Sequence, residues 1–428
     1  MKPAWKQLTG LRLASVSLLL MAASIVKYEP WSELHGQRGY PDHPEAVRVA
    51  HNLYQSGKFA NPFVTVATGY TAHVAPGFST LVCWLFKVFG DHTAGGIALA
   101  WLPILALSLQ IALLPALAPM FGYNPWTGVC AGAFALLTKP DLYDQWEAHE
   151  AGLLILVLAA LVSCWANGSR ASGVAWLTGI LAGLTICFQP IMAPVFAVWL
   201  LLADRPLIRD RRAMPLWAIP ILICAPWMLR NQLRLGTPWI RDDLGIELYA
   251  SFNDCAPYGF EQSQKQGCFG RFHPNQNLSE ALALRSMGEV RYNQERLRRA
   301  FVWMTRHPGH TAALVAKRTL AFWFPTNDRW PEYLRIRKRR LFFFWALTLA
   351  SFGGALWSLK RRIPGGPILL TLLALFPLVY YVVQFDHRYR YPILWVTWLE
   401  AAYFCVILTE RARAALSSAD RYRHRVGR

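Results

Sequence analysis

The stretch Thr93–Thr138, TAGGIALAWLPILALSLQIALLPALAPMFGYNPWTGVCAGAFALLT, contains no Asp, Glu, Lys or Arg. A helix needs about 20 apolar residues to cross the hydrocarbon core of a bilayer, so this run is long enough for two crossings. The segment FGYNP at 121–125 supplies turn residues between them. A second uncharged run, Gly173–Ala203, is divided at Gln189-Pro190. Both runs predict helical hairpins that span a membrane.

The composition of the whole chain agrees with these runs. Of its 428 residues, 54% are hydrophobic and only 16% are charged, against about 25% charged in an ordinary soluble chain. The mean hydropathy is +0.24. We therefore predict an all-α polytopic membrane protein, with residues 1–428 as a single membrane domain. The ten predicted spans are 13–26, 94–118, 126–138, 151–166, 173–188, 190–203, 215–229, 341–358, 365–383 and 392–409.

Basic residues predict the orientation of the chain in the membrane. Lys and Arg number 44 against 25 Asp and Glu, a net charge of +19. Short cytoplasmic loops of membrane proteins collect Lys and Arg, and a cytoplasmic N-terminus places Arg205–Arg212, Lys360–Arg362 and the tail from Arg411 there. Two long loops, about 27–92 and 230–340, then lie outside. No nucleic-acid-binding pattern is present, so the bilayer rather than nucleic acid is the expected partner of the basic charge.

Three local features are predicted within the outer loops. Ala75–Phe89 is apolar but short, and suits a helix at the outer interface rather than a crossing. Thr311–Phe324 has an amphipathic pattern. Cys255 and Cys268 are the only cysteines of the second outer loop, and an oxidising compartment favours their pairing over two free thiols.

Polar chemistry is concentrated in the outer segments. Within the spans Glu400 is the main ionisable residue, and no role is assigned to it. A transporter would place paired charges and broken helices near the midplane, whereas acids and cations outside suit an enzyme acting on a lipid-anchored substrate. The outer polar residues are Asp42, His43 and Glu45; Asp141, Asp144, Glu147 and Glu150; Arg230 and Asn231; and Asp386, His387, Arg388 and Arg390.

Six motifs occur in the order typical of one family. The first is DHPEAVRVAHNLYQSGKF at 42–59, and the second runs from APGF at 75–78 to LFKVFG at 85–90. They are followed by EAGLL at 150–154, PWMLRN at 226–231 with Gly236, then Gly245, Asn253 and Pro257, and HRYRYPI at 387–393. Together they resemble the GT-C glycosyltransferases, and within them the branch of protein O-mannosyltransferases and aminoarabinose transferases.

The resemblance implies a sugar donor linked to a polyprenyl or dolichyl phosphate and hexosyl or pentosyl transfer on the non-cytoplasmic face. It implies a plasma (inner) membrane enzyme of the cell envelope, with a glycan, lipid or protein acceptor. Asp42 fits a general base for the acceptor hydroxyl. Arg388, Arg390 or Arg230 fits the departing phosphate. His43, Asn231, Glu150 and His387 complete the expected substrate site.

One motif departs from the family. His43 stands where the family has a second acid, and Glu45, two residues on, is the alternative. No Asp-x-Asp pair appears, so no metal ligand and no cofactor are assigned, and a metal requirement is left open. A transporter or flippase of a lipid-linked substrate, or an inactive relative, remains the alternative function. Glu150 could simply favour a helix N-terminus, and Arg388 and Arg390 could be interface anchors.

Overall fold

A computed structural model describes residues 10–27, 44–138, 147–168, 171–203, 211–326 and 338–426. Within these ranges the regular elements are helical, as the sequence predicts. In chain order the α-helices are α1 (Gly10–Lys27), α2 (Glu45–Ser56), α3 (Pro76–Phe89), α4 (Thr93–Leu117), α5 (Pro125–Thr138), α6 (Ala148–Ala166), α7 (Ser172–Phe188), α8 (Met192–Ala203), α9 (Met214–Leu235), α10 (Leu244–Ser251), α11 (Phe260–Lys265), α12 (Phe269–Phe272), α13 (Leu278–Met287), α14 (Glu289–Arg306), α15 (Pro308–Trp323), α16 (Lys338–Lys360), α17 (Gly366–Leu375), α18 (Leu378–Val382) and α19 (Leu394–Val426).

Helices occupy each of the ten predicted spans. In the described part of the chain, five are long and apolar enough to cross a membrane: Thr93–Phe121, Ala148–Ala166, Arg211–Leu235, Arg339–Lys360 and His387–Arg413. Five shorter apolar helices accompany them: Pro76–Phe89, Pro125–Thr138, Ser172–Phe188, Met192–Ala203 and Gly366–Val382. These are the helices of a membrane protein, and the count of ten crossings stays a prediction.

The structure corrects two predicted boundaries. The span expected at 365–383 is divided into α17 and α18, because Pro377 begins a new helix at the break. The last helix continues well beyond residue 409, to Val426.

Close helix contacts in the bundle depend on glycine. A Cβ atom on Gly179 of α7 would lie 2.3 Å from the carbonyl oxygen of Pro215 in α9, and one on Gly183 would lie 2.8 Å from Ile223 Cβ. Similarly, a Cβ on Gly354 of α16 would lie 2.1 Å from the carbonyl oxygen of Glu400 in α19. Helices in lipid gain no hydrophobic free energy by packing together. Small residues at their contacts allow the backbones to approach closely and to pack by van der Waals contact.

Of the two loops predicted to lie outside, named the first and second outer loops from here on, the first packs α2 against α3. Ala46, Val47, Val49 and Ala50 of α2 are buried, and this spacing places them on one face of the helix. Pro76 stands in the first turn of α3, where its missing N–H costs nothing. The predicted helix at Ala75–Phe89 is therefore confirmed as a helix, and its place at the interface stays a prediction.

The second outer loop contains α10–α15. Cys255 and Cys268 form a disulfide, as predicted. The amphipathic segment forms α15, whose buried residues include Leu314, Arg318 and Phe322. Arg318 donates hydrogen bonds to the carbonyl oxygens of Ser251 and Val382, and thereby ties this loop to α18.

Candidate functional site

A cavity of ≈ 590 Å³ lies where the outer loops meet the ends of α6, α8 and α18. Its polar lining residues come from segments far apart in sequence: Glu45, His73, Glu147, Gln189, Arg241, Asp243, Glu247, Tyr380, Arg388 and Tyr389. Its apolar lining includes Pro190, Ile191, Pro194, Trp239, Leu244, Val379 and Val383. The predicted convergence of distant outer segments is thus present in the described residues.

The predicted site residues are placed differently with respect to this cavity. Glu45 and Arg388 line it. Asp42 and His43 lie outside the described residues, but Pro44, which follows them directly, is on the cavity wall. His387 is next to Arg388 and its Nδ1 is 3.3 Å from the Asp386 carboxylate. Glu150, Arg230, Asn231 and Arg390 are not among the lining residues.

Arg390 is held inside the bundle. Its side chain is 2% exposed, and it donates hydrogen bonds to the carbonyl oxygen of Trp323 and to the hydroxyls of Thr348 and Thr397. It thereby joins α15, α16 and α19 beneath the site. Arg388, by contrast, keeps 37% of its side chain exposed, with its Nε 3.4 Å from the Asp386 carboxylate. Of the two arginines in the HRYRYPI motif, only Arg388 faces the cavity.

Arg230 and Asn231 hold the loops that form the cavity wall. Arg230 donates to the carbonyl oxygens of Phe59 and Thr71 at 2.7 and 2.8 Å. Asn231 donates to the carbonyl oxygen of Trp239 at 2.6 Å. Both side chains therefore act through the backbone of residues near the site.

The Thr71–His73 segment is fixed from two further directions. The Glu289 carboxylate accepts hydrogen bonds of 2.6 Å from the Thr71 hydroxyl and from the Ala72 N–H. Arg241 Nε donates to the His73 carbonyl oxygen at 3.1 Å. Burial raises the pKa of Glu289 to about 7, although these hydrogen bonds oppose the shift.

Glu147 is a cavity residue that the sequence analysis noted only as one of several outer acids. It precedes α6 with φ 67° and ψ −12°, a left-handed conformation unusual for a residue with a side chain. Among the described residues its Oε2 atom is buried without a hydrogen-bond partner, and burial raises its pKa. Glu150 lies behind it, 5% exposed, in the first turn of α6. Strained backbone at a cavity is a recognised feature of functional sites.

The cavity carries more acidic than basic groups. Its described acids are Glu45, Glu147, Asp243 and Glu247, and its cations are Arg241 and Arg388. Burial raises the pKa of Asp243 although the nearby Arg241 opposes it. For Glu247 burial also favours the neutral form, but the nearby His273 and the positive charge of Arg241 lower its pKa overall. Neighbouring carboxylates thus differ in proton affinity, which is the condition for acid and base roles in one site.

Two histidines meet beside Glu45. Ligand atoms of Glu45, His73 and His273 lie within 4.8 Å of one another. Both rings are almost fully buried, at 2% and 1% exposure. Burial lowers the pKa of His73 to about 4, so its imidazole is neutral at physiological pH. The spacing of these three residues along the chain gave no sign of this cluster.

Solved structures of one archaeal enzyme share the architecture of the chain. The apo oligosaccharyltransferase of Archaeoglobus fulgidus matches with a TM-score of 0.56 at 15% identity, over 96% of this chain and 52% of that one. The same enzyme tethered to an acceptor peptide containing the NVT sequon matches at 0.53 and 14%, over 94% and 50%. The chain shares the fold of this oligosaccharyltransferase. No protein-family model and no curated protein matches its sequence.

A likeness at 14–15% identity shows a shared fold and does not select a branch of the predicted family. The chain spans about half the length of the oligosaccharyltransferase chains that it matches. The shared fold supports the predicted GT-C resemblance, while the mannosyltransferase and aminoarabinose branch stays a prediction.

Proposed function

We propose that the chain is a membrane glycosyltransferase that transfers one sugar from a polyprenyl-phosphate donor to an acceptor hydroxyl on the non-cytoplasmic face. It would belong to the branch of protein O-mannosyltransferases and aminoarabinose transferases. The observation that carries the proposal is the composition of the cavity, whose carboxylates, arginines and apolar residues come from separate segments beside the membrane helices. Such a mixed lining fits a substrate with a sugar, a phosphate and a prenyl chain.

The acids of the cavity fit the proton transfer. In the proposed reaction the Asp42 carboxylate takes the proton of the acceptor hydroxyl, and that oxygen attacks C1 of the sugar as the bond from C1 to the phosphate oxygen breaks. Asp42 immediately precedes His43 and the cavity residue Pro44, which supports this role. Glu45 and Glu147, on the same wall, are the further acids available for the acceptor or the sugar hydroxyls.

Arg388 fits the leaving group. The polyprenyl phosphate departs with its bonding electron pair, and Arg388 is the cavity arginine from the predicted phosphate motif. A planar guanidinium can donate two parallel hydrogen bonds to phosphate oxygens. Pro190, Ile191 and Pro194 line the cavity at the start of α8, and Val379 and Val383 line it at α18. These apolar residues suit the first isoprene units of the carrier.

Incubation of the purified protein with a panel of polyprenyl-phosphate sugars tests the proposal directly. We expect release of polyprenyl phosphate for one donor, stimulated by the correct acceptor and abolished in D42N. R298Q is a matched control, because Arg298 is 67% exposed and pairs with Glu295 on its own helix. Movement of an intact lipid-linked sugar across a vesicle membrane, without cleavage of the sugar–phosphate bond, would instead establish the transporter alternative.

A further inference from the structure

The cluster of Glu45, His73 and His273 brings together two separate outer loops. Glu45 and His73 belong to the first, and His273 follows α12 in the second. Their ligand atoms lie within 4.8 Å of one another. We propose that these three side chains bind a zinc-class divalent cation, which joins the first outer loop to the second at the edge of the cavity.

The donor set selects the class of metal. Two imidazole nitrogens with one carboxylate suit zinc and related transition ions, whereas magnesium and calcium prefer oxygen ligands throughout. Three protein ligands leave a fourth tetrahedral position. Because Glu45 and His73 line the cavity, that position would be open to water or to a substrate oxygen.

A second observation, independent of the distances between the three ligand atoms, concerns the ring of His73. Its Nδ1 atom is buried and has no hydrogen-bond partner among the described residues. Its backbone is fixed, because its N–H donates to the Thr71 hydroxyl at 2.9 Å and its carbonyl accepts from Arg241. A buried polar atom without a partner costs free energy unless a ligand or water satisfies it, and a metal ion would do so.

Glu247 provides a carboxylate next to the second histidine. Its Oε1 atom lies 3.8 Å from His273 Nε2. If Nε2 binds the metal, this carboxylate is close enough to contribute negative charge to the site. Glu247 also lines the cavity, so it would be a neighbour of the ion rather than one of its three ligands.

Metal binding requires two local adjustments. Tetrahedral bonds of about 2.0–2.1 Å hold ligand atoms roughly 3.3–3.5 Å apart, so the three atoms must draw together from their present spacing. His273 Nδ1 accepts a hydrogen bond from the Asn275 N–H at 3.1 Å. If Nε2 binds the metal, the ring proton moves to Nδ1 and this bond is lost. One hydrogen bond is a small loss beside the affinity of zinc for such ligands.

The alternative is that the two rings only fill an aromatic cluster. His273 stacks on Phe269 with ring centroids 4.4 Å apart, and His73 lies 4.8 Å from Phe63. In that case His73 and His273 would pack without binding metal. Metal content of the purified protein separates the two possibilities and requires no sugar donor, so it is independent of the proposed transferase activity.

The experiment uses the full chain, purified without a histidine tag, stripped with a chelator and titrated with Zn²⁺. We expect one ion per chain by elemental analysis, a Co²⁺ absorption spectrum typical of tetrahedral coordination, and no competition from Mg²⁺. H73Q and H273Q should each weaken Zn²⁺ binding at least 10-fold, and E45Q should weaken it less. H51Q is the matched control, because His51 is more exposed and pairs with Asp91.

Folding of each variant is checked by formation of the Cys255–Cys268 disulfide and by a single peak in size-exclusion chromatography. Zn²⁺ should raise the melting temperature of the wild type and of H51Q but not that of H273Q. The inference is overturned if the stripped wild type binds no Zn²⁺ on titration, or if well-folded H73Q and H273Q bind Zn²⁺ as tightly as the wild type does.

Discussion

Arg241 and Asp243 form an ion pair of 2.5 Å on the cavity wall. The same guanidinium donates to the carbonyl oxygen of His73, so it connects the two outer loops while it neutralises an acid of the site. R241Q should leave Asp243 without its partner and release the His73 carbonyl. We expect a loss of about 1–3 kcal/mol in stability, since the arginine side chain is 33% exposed and solvent weakens the pair. Thermal unfolding measures the loss.

R241K separates the charge of Arg241 from its hydrogen bond to His73. It keeps the charge but cannot use separate nitrogens for Asp243 and for His73, so it should recover only part of the stability. A melting temperature for R241K equal to that of the wild type would show that the link to His73 contributes nothing.

The proposed base leads to a second prediction. D42N should lower turnover by roughly 10²–10⁴-fold, the usual contribution of general-base catalysis. Asn is nearly isosteric with Asp, so donor affinity and melting temperature should hardly change. If D42N keeps near-normal turnover while E45Q abolishes it, Glu45 is the base and the match of this segment to the family motif is wrong by three residues.

The two arginines of the HRYRYPI motif should behave differently. R388Q should weaken donor binding without unfolding the protein, because its side chain faces the cavity and is partly exposed. R390Q should lower the melting temperature instead, because it removes hydrogen bonds to three helices inside the bundle. Donor titration and thermal unfolding of both variants check this. Normal donor affinity in R388Q would refute its role at the phosphate.

Orientation in the membrane is a separate prediction. A cysteine placed at Gln266, an exposed position in the second outer loop, should react with an impermeant thiol reagent applied from outside. A cysteine at Arg211, also exposed, should react only after the membrane is opened. Labelling is compared with the same chain carrying serine at Cys130 and Cys405, its exposed free cysteines. The reverse pattern would invert the whole topology.

Glu289 should give stability a characteristic dependence on pH. Its pKa is raised from 4.5 to about 7, so the folded state binds a proton that the unfolded chain has released between those values. Its contribution to stability therefore falls as pH rises from 4.5 towards 7 and is constant above that. The total change is at most about 3 kcal/mol.

Melting temperatures of the wild type and E289Q across this pH range measure the effect. The wild type should lose stability relative to E289Q as pH rises, because glutamine does not titrate. E261Q, at a helix-surface pair with Lys265, is the control and should run parallel to the wild type. If the melting temperatures of E289Q and of the wild type change in parallel with pH, Glu289 does not titrate in this range.

Hydrophobic runs predicted the helices well because apolar length is a local property of the chain. The span at 94–118, for example, appears as Thr93–Leu117. The predicted span at 365–383 appears as the apolar stretch Gly366–Val382, and the sequence analysis missed only the break that Pro377 introduces within it. The disulfide could be predicted because only two cysteines occur in that loop.

Site residues were harder to predict from the sequence than helices, because the charge of a residue does not reveal which way its side chain points. Arg388 and Arg390 are two residues apart, yet one lines the cavity and the other is buried in the bundle. Glu147 has a left-handed backbone conformation and a place on the cavity that no sequence pattern indicated. The histidine cluster joins positions 73 and 273, and no local pattern connects residues so far apart in the chain.

The glycines of α7 have a consequence for how this site can change. Helix α7 ends directly before Gln189 and Pro190 of the cavity, and α9 ends shortly before Trp239 and Arg241. Contact at Gly179 and Gly183 therefore sets the separation of two parts of the cavity lining from within the apolar bundle. A methyl group at either glycine would act as a wedge between the helices. Substrate preference can consequently be altered by substitutions that never touch a substrate, and selection for new donors should recover changes there.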